Sequence, residues 1–517
     1  MKKLYRALAL TSAAVLAGSS VALFSGCANK ADVVTLRVCS WEEYIDLGGW
    51  DKGELIDIEN PYSEGGIMGV NSMVDDFTEW FNSTHDYEVK VEYSTFGTNE
   101  DLYNRLSLGD EYDLVCPSDY MLMKLIAEGN YVEYSDTFWD EDIEQNYYAK
   151  NVSRYIDGGN GEGIFNHQFT NPQDVWHKKA ACYMWGTTGL VYNPEKVEHI
   201  ADVSTWAMLL NENYSRQVTI KDNVRDAYFS TLGIINSDKL TGGNLSASQR
   251  SAILNDVDSA TIEKAESVLK DIKENVYSFE TDSGKADMVT GKVIANLQWS
   301  GDAVFIMDEA EADDTELWYS VPDECTNLWF DGWLMLKNGV EKNEKLKTSA
   351  EAFVNFLSRP DNAVRNMYYI GYSSAIADDT VFDYMEWNYG ADEEAGQTFE
   401  YDVSYFFNEQ KLLEVDAVNF EIDGDGKINR GRQLFAQYPP QNVIDRSVVM
   451  LDFGDKLSEI NQMWINVRCL DIRDISPVTV GVTAAVVLAL AGAVCLYKFR
   501  YKLFFNNRPK KGYERVS

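Results

Sequence analysis

The chain has 517 residues, of which 45% are hydrophobic and 13% aromatic, and it carries a formal net charge of −38. This length suffices for two ordinary domains, because a single core rarely grows beyond about 250–300 residues, and the composition excludes a disordered or wholly membrane-embedded chain. The negative charge argues against nucleic acid as a partner, while it fits either plain solubility or a field that collects cationic ligands.

The first residues have the pattern of an export signal. Three basic residues among the first six precede an uncharged apolar run from Ala7 to Gly26, which is typical of a secretory signal sequence. The run leads into Cys27 and resembles a bacterial lipobox, in which the cysteine is lipidated and becomes the mature N-terminus. We therefore expect residues 1–26 to be a lipoprotein signal peptide; an ordinary signal or an uncleaved anchor is the alternative.

The segments that follow predict alternating strands and helices. Apolar residues indicate strands near 34–38, 89–93 and 113–116, and helical periodicity with a capping pattern at Thr98 predicts helices between them. Short links between such elements predict an α/β domain built on a mostly parallel sheet. Because the pattern resumes after Cys182, we expect two such lobes.

The cysteines indicate neither a disulfide framework nor a metal site. Apart from Cys27 and Cys495 they are scattered without a CxxC motif, and several lie in apolar runs, so we interpret them as small buried hydrophobic residues. They are Cys39, Cys116, Cys182, Cys325 and Cys469.

The last part of the ectodomain is followed by a candidate membrane span. The stretch 475–497 carries no charge and is long enough to cross about 30 Å of hydrocarbon as a helix. The basic tail 498–517 is expected to stay in the cytoplasm, which places most of the chain outside the membrane. A buried soluble helix is the alternative interpretation.

Four short segments combine aromatic residues with carboxylates, and a fifth carries carboxylates without an aromatic residue. Segments 40–44, 117–120, 299–302 and 329–331 stand at predicted strand ends, where open α/β sheets bind ligands, and segment 221–226 follows another strand. Taken singly, a tryptophan at a strand end is more often core, and an aspartate there is more often a cap or turn residue. Their recurrence predicts a shared binding site.

Such a set suits an alkyl diamine or polyamine. Aromatic faces attract ammonium groups by about 0.5–2 kcal/mol each, depending on desolvation. The same rings cover methylene groups, at roughly 25 cal/mol for each Å² of apolar surface removed from water. Carboxylates pair with the terminal ammonium groups, which would be costly to bury alone.

In order and spacing, these segments resemble the spermidine/putrescine-binding proteins of bacterial ABC importers over about residues 33–470. The specific motifs are the tryptophan segments 185–190, 299–302 and 329–331, together with 356–361 and its following Ile370-Gly371-Tyr372. The resemblance implies an α/β, two-lobed, periplasmic-binding-protein-like (type II) fold with the ligand in a cleft between the lobes. Its domain boundaries would be 33–186 with 331–375 for lobe 1 and 187–330 with 376–470 for lobe 2.

The resemblance also implies which residues bind the ligand. Amine-pairing carboxylates fall on Asp226 and Asp331, and small polar contacts on Ser118 and Thr281. The ligand-box aromatic residues fall on Trp41, Tyr44, Tyr120, Trp299, Trp329 and Tyr372.

Departures from the family pattern bear on selectivity. Asn223 stands where spermidine binders tend to carry a carboxylate, and Met450 where they carry a polar side chain. Asp302 resembles an additional aspartate of putrescine-preferring members, and Glu42 adds a negative charge near one amine. Since Glu43, Tyr120 and Trp329 are closer to the spermidine type, the pattern favours putrescine only narrowly and leaves the choice open.

Two regions exceed the family pattern, one near 46–69 and one from about 379 to 445. The second contains 421–429, which faintly resembles a calcium loop, but Arg432 stands at the closing ligand position. A DG hairpin turn is the favoured interpretation.

The sequence thus predicts an extracytoplasmic, membrane-held polyamine-binding component of an ABC importer, with a permease and an ATPase as partners. No catalytic motif is present, so neither an enzyme nor a cofactor or metal is expected. The alternatives are a sugar or ferric iron ligand on the same fold, or a membrane-anchored polyamine sensor. Iron binders use adjacent tyrosines, which occur here at 147–148 and 368–369.

Overall fold

The computed structural model describes residues 33–157, 176–243, 245–341, 343–392, 395–407, 409–469 and Leu490. The predicted signal peptide, the lipidation site Cys27 and the basic tail lie outside these ranges, and so does the predicted span 475–497 apart from Leu490. Across the described ranges, none of the helices combines the length and the apolar character that crossing a bilayer requires. The chain divides into two units, one ending at Ile460 and the other beginning at Asn461.

The strands within the described residues are β1 Val33–Trp41, β2 Glu88–Phe96, β3 Leu114–Val115, β4 Ala180–Tyr192, β5 Val218–Lys221, β6 Ser278–Glu280, β7 Ala295–Trp299, β8 Trp318–Ser320, β9 Thr326–Met335, β10 Ser373–Ser374, β11 Thr398–Asp402, β12 Leu412–Asp416, β13 Phe420–Ile422, β14 Ile428–Gly431 and β15 Ser447–Val448.

The helices within the described residues are α1 Met73–Thr84, α2 Asn99–Leu108, α3 Asp119–Ala127, α4 Tyr147–Asn151, α5 Val224–Ile235, α6 Ser237–Thr241, α7 Ala247–Leu254, α8 Ser259–Asn275, α9 Ser283–Val289, α10 Ser300–Glu311, α11 Lys337–Val340, α12 Glu344–Leu357, α13 Pro360–Ile370, α14 Asp379–Tyr389, α15 Ser404–Phe407, α16 Gln433–Gln437, α17 Gln441–Ile444 and α18 Leu457–Arg468.

The central sheet is mixed, so the prediction of a mostly parallel sheet is wrong. Its main path is β13-β14-β8-β4-β9-β3-β1-β2, and β5, β6 and β7 join through β4. Parallel pairing holds where strands are joined by crossover helices, as in β1–β2 and β5–β6. The long strands β4 and β9 run antiparallel to each other, and β4 also runs antiparallel to β7 and β8.

The same two long strands link two groups of strands. In β4, Gly186 faces Trp329 of β9, while Thr188, two residues later, faces Trp299 of β7. The lobe crossovers predicted at 186/187 and 330/331 fall inside β4 and β9. The division into lobes itself stays a prediction.

Helix ends position several site residues. The predicted cap at Thr98 is confirmed, since its side chain accepts the backbone N–H of Asp101. Helix α13 ends at Gly371, whose φ of 79° is a left-handed conformation that favours glycine and turns the chain toward Tyr372. Gly301 permits the close approach of that tyrosine, because a Cβ there would lie 2.0 Å from the Tyr372 ring.

Two smaller predictions meet different outcomes. Four of the five scattered cysteines are buried as expected, but Cys469 is exposed, because it follows the surface helix α18 rather than lying in a strand. The stretch 421–429 spans the turn between β13 and β14, which confirms the hairpin interpretation. Within that turn, Asp423 accepts the N–H groups of Asp425 and Lys427.

The insertion near 46–69 is fastened to helix α13 by a buried arginine. Arg365 donates to the Asp46 carboxylate and to the Asn71 carbonyl, and also to Asp76 Oδ2 at 2.5 Å. Asp46 is fully buried and also accepts hydrogen bonds from Gly48 N–H and from the Trp50 indole. Charges removed from water in this way are tolerated only while they remain paired.

We expect Arg365→Met to lower the free energy of unfolding by roughly 3–5 kcal/mol, because it strands the buried Asp46 carboxylate. Urea denaturation followed by tryptophan fluorescence measures the change. Lys90→Met is the matched control, since Lys90 pairs with Glu92 on the exposed surface and should change stability little. Equal effects of the two substitutions would contradict the assignment of a structural role to Arg365.

Candidate ligand-binding site

The residues singled out from the sequence line one cavity of about 730 Å³. It opens where the ends of β1 and β7 and the middle of β9 meet the starts of helices α3 and α5. All thirteen predicted site residues contribute to its wall, together with Glu43 and Met450. They are Trp41, Glu42, Tyr44, Ser118, Tyr120, Asn223, Asp226, Thr281, Trp299, Asp302, Trp329, Asp331 and Tyr372.

Three rings form a fixed aromatic corner. The Tyr372 ring lies 5.5 Å from the Trp329 ring and 5.2 Å from the Tyr44 ring, which it meets edge-on at 84°. The Trp329 indole donates to the Thr187 carbonyl at 3.1 Å, which holds its plane. Gly186 makes room for this indole, because a Cβ at Gly186 would lie 2.5 Å from the Trp329 ring.

Asp331 lies beside this corner, in the middle of β9. Its Oδ2 accepts the Tyr44 hydroxyl at 2.5 Å, and its backbone bridges to Ser118. Its Oδ1 is buried and makes no hydrogen bond of ordinary geometry with the described residues. Burial raises the pKa of Asp331 to about 6, although hydrogen-bonding side chains of Ser118, Tyr44 and Trp41 lower it in part.

Asp226 lies in the first turn of α5, on another wall of the cavity. Its Oδ2 accepts the indole N–H of Trp299 at 3.2 Å. Asn223 caps the same helix by accepting the N–H of Arg225, so its amide oxygen is engaged by the backbone. Burial raises the pKa of Asp226 to about 6, and the nearby Lys221 charge opposes that rise.

Asp302 differs from these two carboxylates because it already has cationic partners. Its Oδ1 accepts the Tyr372 hydroxyl at 3.0 Å. Lys221 Nζ lies 3.6 Å from Oδ2, and Lys285 Nζ lies 3.7 Å from Oδ1. The sequence interpretation of Asp302 as an extra carboxylate for the ligand did not anticipate these two lysines.

Lys221 does not line the cavity but supports two residues that do, Thr281 and Trp299. It is 1% exposed, donates to the Thr281 carbonyl at 2.7 Å and lies 4.4 Å from the centre of the Trp299 ring. Its ammonium group therefore covers one face of the Trp299 ring, which the sequence analysis predicted to contact the ligand. Only its place at the end of an apolar strand, before an acidic turn, could have indicated this role.

Arg225 is another contributor that sequence reasoning named only as part of a motif. Its guanidinium lies 4.0 Å from the Tyr120 ring and 3.9 Å from the Phe453 ring, and it donates to the Leu451 carbonyl. The Tyr120 hydroxyl is itself engaged by Asn99 and Glu100. Phe453 and Leu451 are more than 200 residues away in sequence, so no local pattern predicts this stack.

The remaining predicted residues lie toward the rim or toward the apolar side. Glu42 and Thr281 are exposed at the cavity mouth, and Trp41 packs on Phe96 with ring centres 4.7 Å apart. The tyrosine pairs considered for iron are not among the residues that line this cavity. Tyr148 is buried and bonds to the Cys182 N–H, while Tyr368 packs on Trp50.

The cavity wall is strongly acidic. Eight carboxylate side chains and two basic side chains line it. Two of the carboxylates, Asp226 and Asp331, are buried against aromatic rings and have no ion pair within 4.0 Å among the described residues. A buried carboxylate in this state gains most from a cation that enters with it. The arrangement is therefore chemically suited to an organic cation with an apolar body.

The chain belongs to the bacterial extracellular solute-binding protein family, whose sequence model matches residues 72–380. It is similar to the spermidine/putrescine-binding periplasmic protein of Salmonella typhimurium, with 24% identity over 360 residues that cover 69% of this chain and 82% of the relative. The putrescine-binding periplasmic protein PotF of Escherichia coli is 24% identical over 56% of this chain and 71% of its own length. The resemblance inferred from the sequence motifs is thereby confirmed.

Solved structures support the same fold. The chain is similar to the spermidine/putrescine substrate-binding protein PotD of Streptococcus pneumoniae, with a TM-score of 0.51 and 21% identity, over 84% of this chain and 98% of that one. The TpPotD lipoprotein of Treponema pallidum gives a TM-score of 0.53 at 16% identity, over 84% and 99%. The predicted periplasmic-binding-protein-like α/β fold is confirmed by these likenesses.

Asp119, at the start of α3, gives a stability prediction for the empty site. It is buried, accepts the N–H groups of Tyr120 and Phe330, and burial raises its pKa to about 8. Because the folded-state pKa exceeds the unfolded value of about 3.9, the folded state binds the extra proton, so its stability falls as pH rises from about 4 to about 8.

We expect Asp119→Asn to remove this loss. Relative to the unaltered chain, the variant should become progressively more stable between pH 5 and pH 8, because its side chain keeps the acceptor oxygen but cannot ionise. Thermal unfolding of both proteins at the two pH values measures the difference. A difference that does not change with pH would mean that Asp119 titrates at an ordinary pKa.

Proposed function

We propose that this protein captures a polyamine, putrescine or spermidine, in the cavity between its two groups of strands and delivers it to the permease of an ABC importer. The observation that carries the proposal is Asp331, a buried carboxylate with an unpaired oxygen beside three aromatic rings. The similarity to polyamine-binding periplasmic proteins supports the same ligand class.

The ligand's chemistry matches the wall of the cavity. One ammonium group pairs with Asp331 at the corner formed by Tyr44, Trp329 and Tyr372, and a second pairs with Asp226 beside Trp299. The rings cover the methylene groups between them, which removes apolar surface from water at roughly 25 cal/mol per Å². Each ring also attracts the neighbouring ammonium group by about 0.5–2 kcal/mol.

Capture proceeds by closure of two lobes about the long strands β4 and β9, with lobe 1 as 33–186 and 331–375 and lobe 2 as 187–330 and 376–470. Hinge motions of this kind take microseconds to milliseconds. Lipidation at Cys27 and a helix at 475–497 would hold the cleft at the outer face of the membrane, next to the permease. In this role the protein transfers a solute and catalyses no reaction.

Asp331→Asn should weaken polyamine binding by more than about 100-fold, because it leaves an ammonium group buried without its counter-charge. Titration calorimetry of the full-length chain with putrescine and with spermidine measures the affinity, and glucose tests the sugar alternative. Asp323→Asn is the matched control and should bind like the unaltered chain, because Asp323 is exposed between β8 and β9 and does not line the cavity. If the unaltered chain bound neither polyamine, or if the Asp331 substitution were neutral, the proposal would fail.

Binding should weaken as pH falls from 7 to 5. The pKa values of Asp226 and Asp331 are raised to about 6, so each carboxylate is mostly ionised at pH 7 and mostly protonated at pH 5. The dissociation constant should rise by roughly 10-fold for each carboxylate that must ionise. A plot of the logarithm of the dissociation constant against pH should have about half the slope in Asp226→Asn that it has in the unaltered chain. An affinity independent of pH over this range would contradict the pairing.

A further inference from the structure

We propose that Lys285 serves as a built-in ammonium group at the Asp302 side of the cavity, so that the site accepts a diamine and discriminates against a triamine. The inference rests on the proposed polyamine function and specifies its ligand. It makes Lys285 a specificity-determining residue that has no counterpart among the residues predicted from the sequence.

The first step is the unequal state of the four buried carboxylates that line the cavity, which are Asp119, Asp226, Asp302 and Asp331. Asp331 and Asp226 receive hydrogen bonds from a neutral hydroxyl and a neutral indole. Asp302, by contrast, has two lysine ammonium groups within 4.0 Å. Asp119 also lacks such a cation, but its two oxygens accept the backbone N–H groups of Tyr120 and Phe330. With Asp302 already paired, Asp226 and Asp331 are left to match the two charges of a diamine.

The second step is the difference between the two lysines. Lys221 is buried beneath Trp299 and fixed by the Thr281 carbonyl. Lys285, on helix α9, is 20% exposed and lines the cavity. It is therefore the ammonium group that a ligand entering the cavity meets.

The third step concerns what holds Lys285 in place. Its Nζ lies 3.7 Å from Asp302, 3.7 Å from Glu43 and 3.8 Å from Asp282. Glu43 follows β1 whereas Lys285 lies on α9, so the ammonium group joins two separate elements that line the cavity. Burial alone would lower its pKa, but these three carboxylates outweigh that effect and raise it, so the group stays charged.

The fourth step is the fate of a third ammonium group. The cavity wall holds cationic side chains in two directions open to a longer triamine, toward Asp302 and toward Tyr120. The first direction meets Lys285, and the second meets the guanidinium stacked on Tyr120. Like charges brought together in a partly desolvated cavity repel strongly, which makes this a repulsive element of selectivity.

The test compares ligands on the full-length chain by titration calorimetry. The unaltered chain should bind putrescine at least about 10-fold more tightly than spermidine. Lys285→Met keeps the aliphatic stem and removes the charge, so it should shift the affinity ratio toward spermidine by about 10-fold or more. Lys285→Arg keeps a positive charge and should restore the preference for putrescine.

Lys292→Met is the matched control, since Lys292 lies just beyond α9, pairs with Asp287 and does not line the cavity. It should leave the affinity ratio unchanged, and circular dichroism should show that all variants are folded. Equal binding of both polyamines by the unaltered chain, or an unchanged ratio in Lys285→Met, would overturn the inference while the proposed function stands. Binding of neither polyamine by the unaltered chain would instead refute the proposed function.

Discussion

The site depends on the cost of burying a carboxylate without a counter-charge. Asp331 lies within β9 with one oxygen held by the Tyr44 hydroxyl and the other unpaired. Burial raises the pKa of both Asp331 and Asp226, because the cavity wall replaces water poorly around an ionised group. A cationic ligand relieves this penalty, and it does so at a place where rings rather than water surround its hydrocarbon body.

The protein's own cations determine which carboxylates remain for the ligand. Lys221 and Lys285 both approach Asp302, and the Arg225 guanidinium covers the Tyr120 ring. The cavity is therefore acidic as a whole, but its acidity is unevenly distributed. Affinity for a cation follows from the net charge of the wall, whereas selectivity among cations follows from which carboxylates already have partners.

The sequence predicted the recurring aromatic and acidic segments well, because most are short motifs at strand ends and such ends converge on one edge of an α/β sheet. Trp299 could be placed in this way, whereas Asp331 lies within β9, so the prediction of a strand end at 329–331 is wrong. The ion pairs could not be placed, since the contact between Lys285 and Glu43 joins positions 242 residues apart and Lys285 stands in none of the predicted segments. The mixed character of the sheet was missed for a related reason: the direction of β9 relative to β4 depends on long-range pairing.

The enlarged segment 379–445 reaches the ligand site through one buried glutamine. The Gln437 side chain donates to the Gly371 carbonyl at 2.8 Å, and its backbone carbonyl accepts the Ser373 hydroxyl at 2.7 Å, so Gln437 holds the two residues that flank Tyr372. Phe406, from the same segment, stacks on Trp185 of β4 with ring centres 5.4 Å apart. These contacts fix the tyrosine whose ring faces Trp329 and whose hydroxyl binds Asp302. The extra segment is thus part of the support that holds the aromatic corner in place, behind the strand that links the two halves of the sheet.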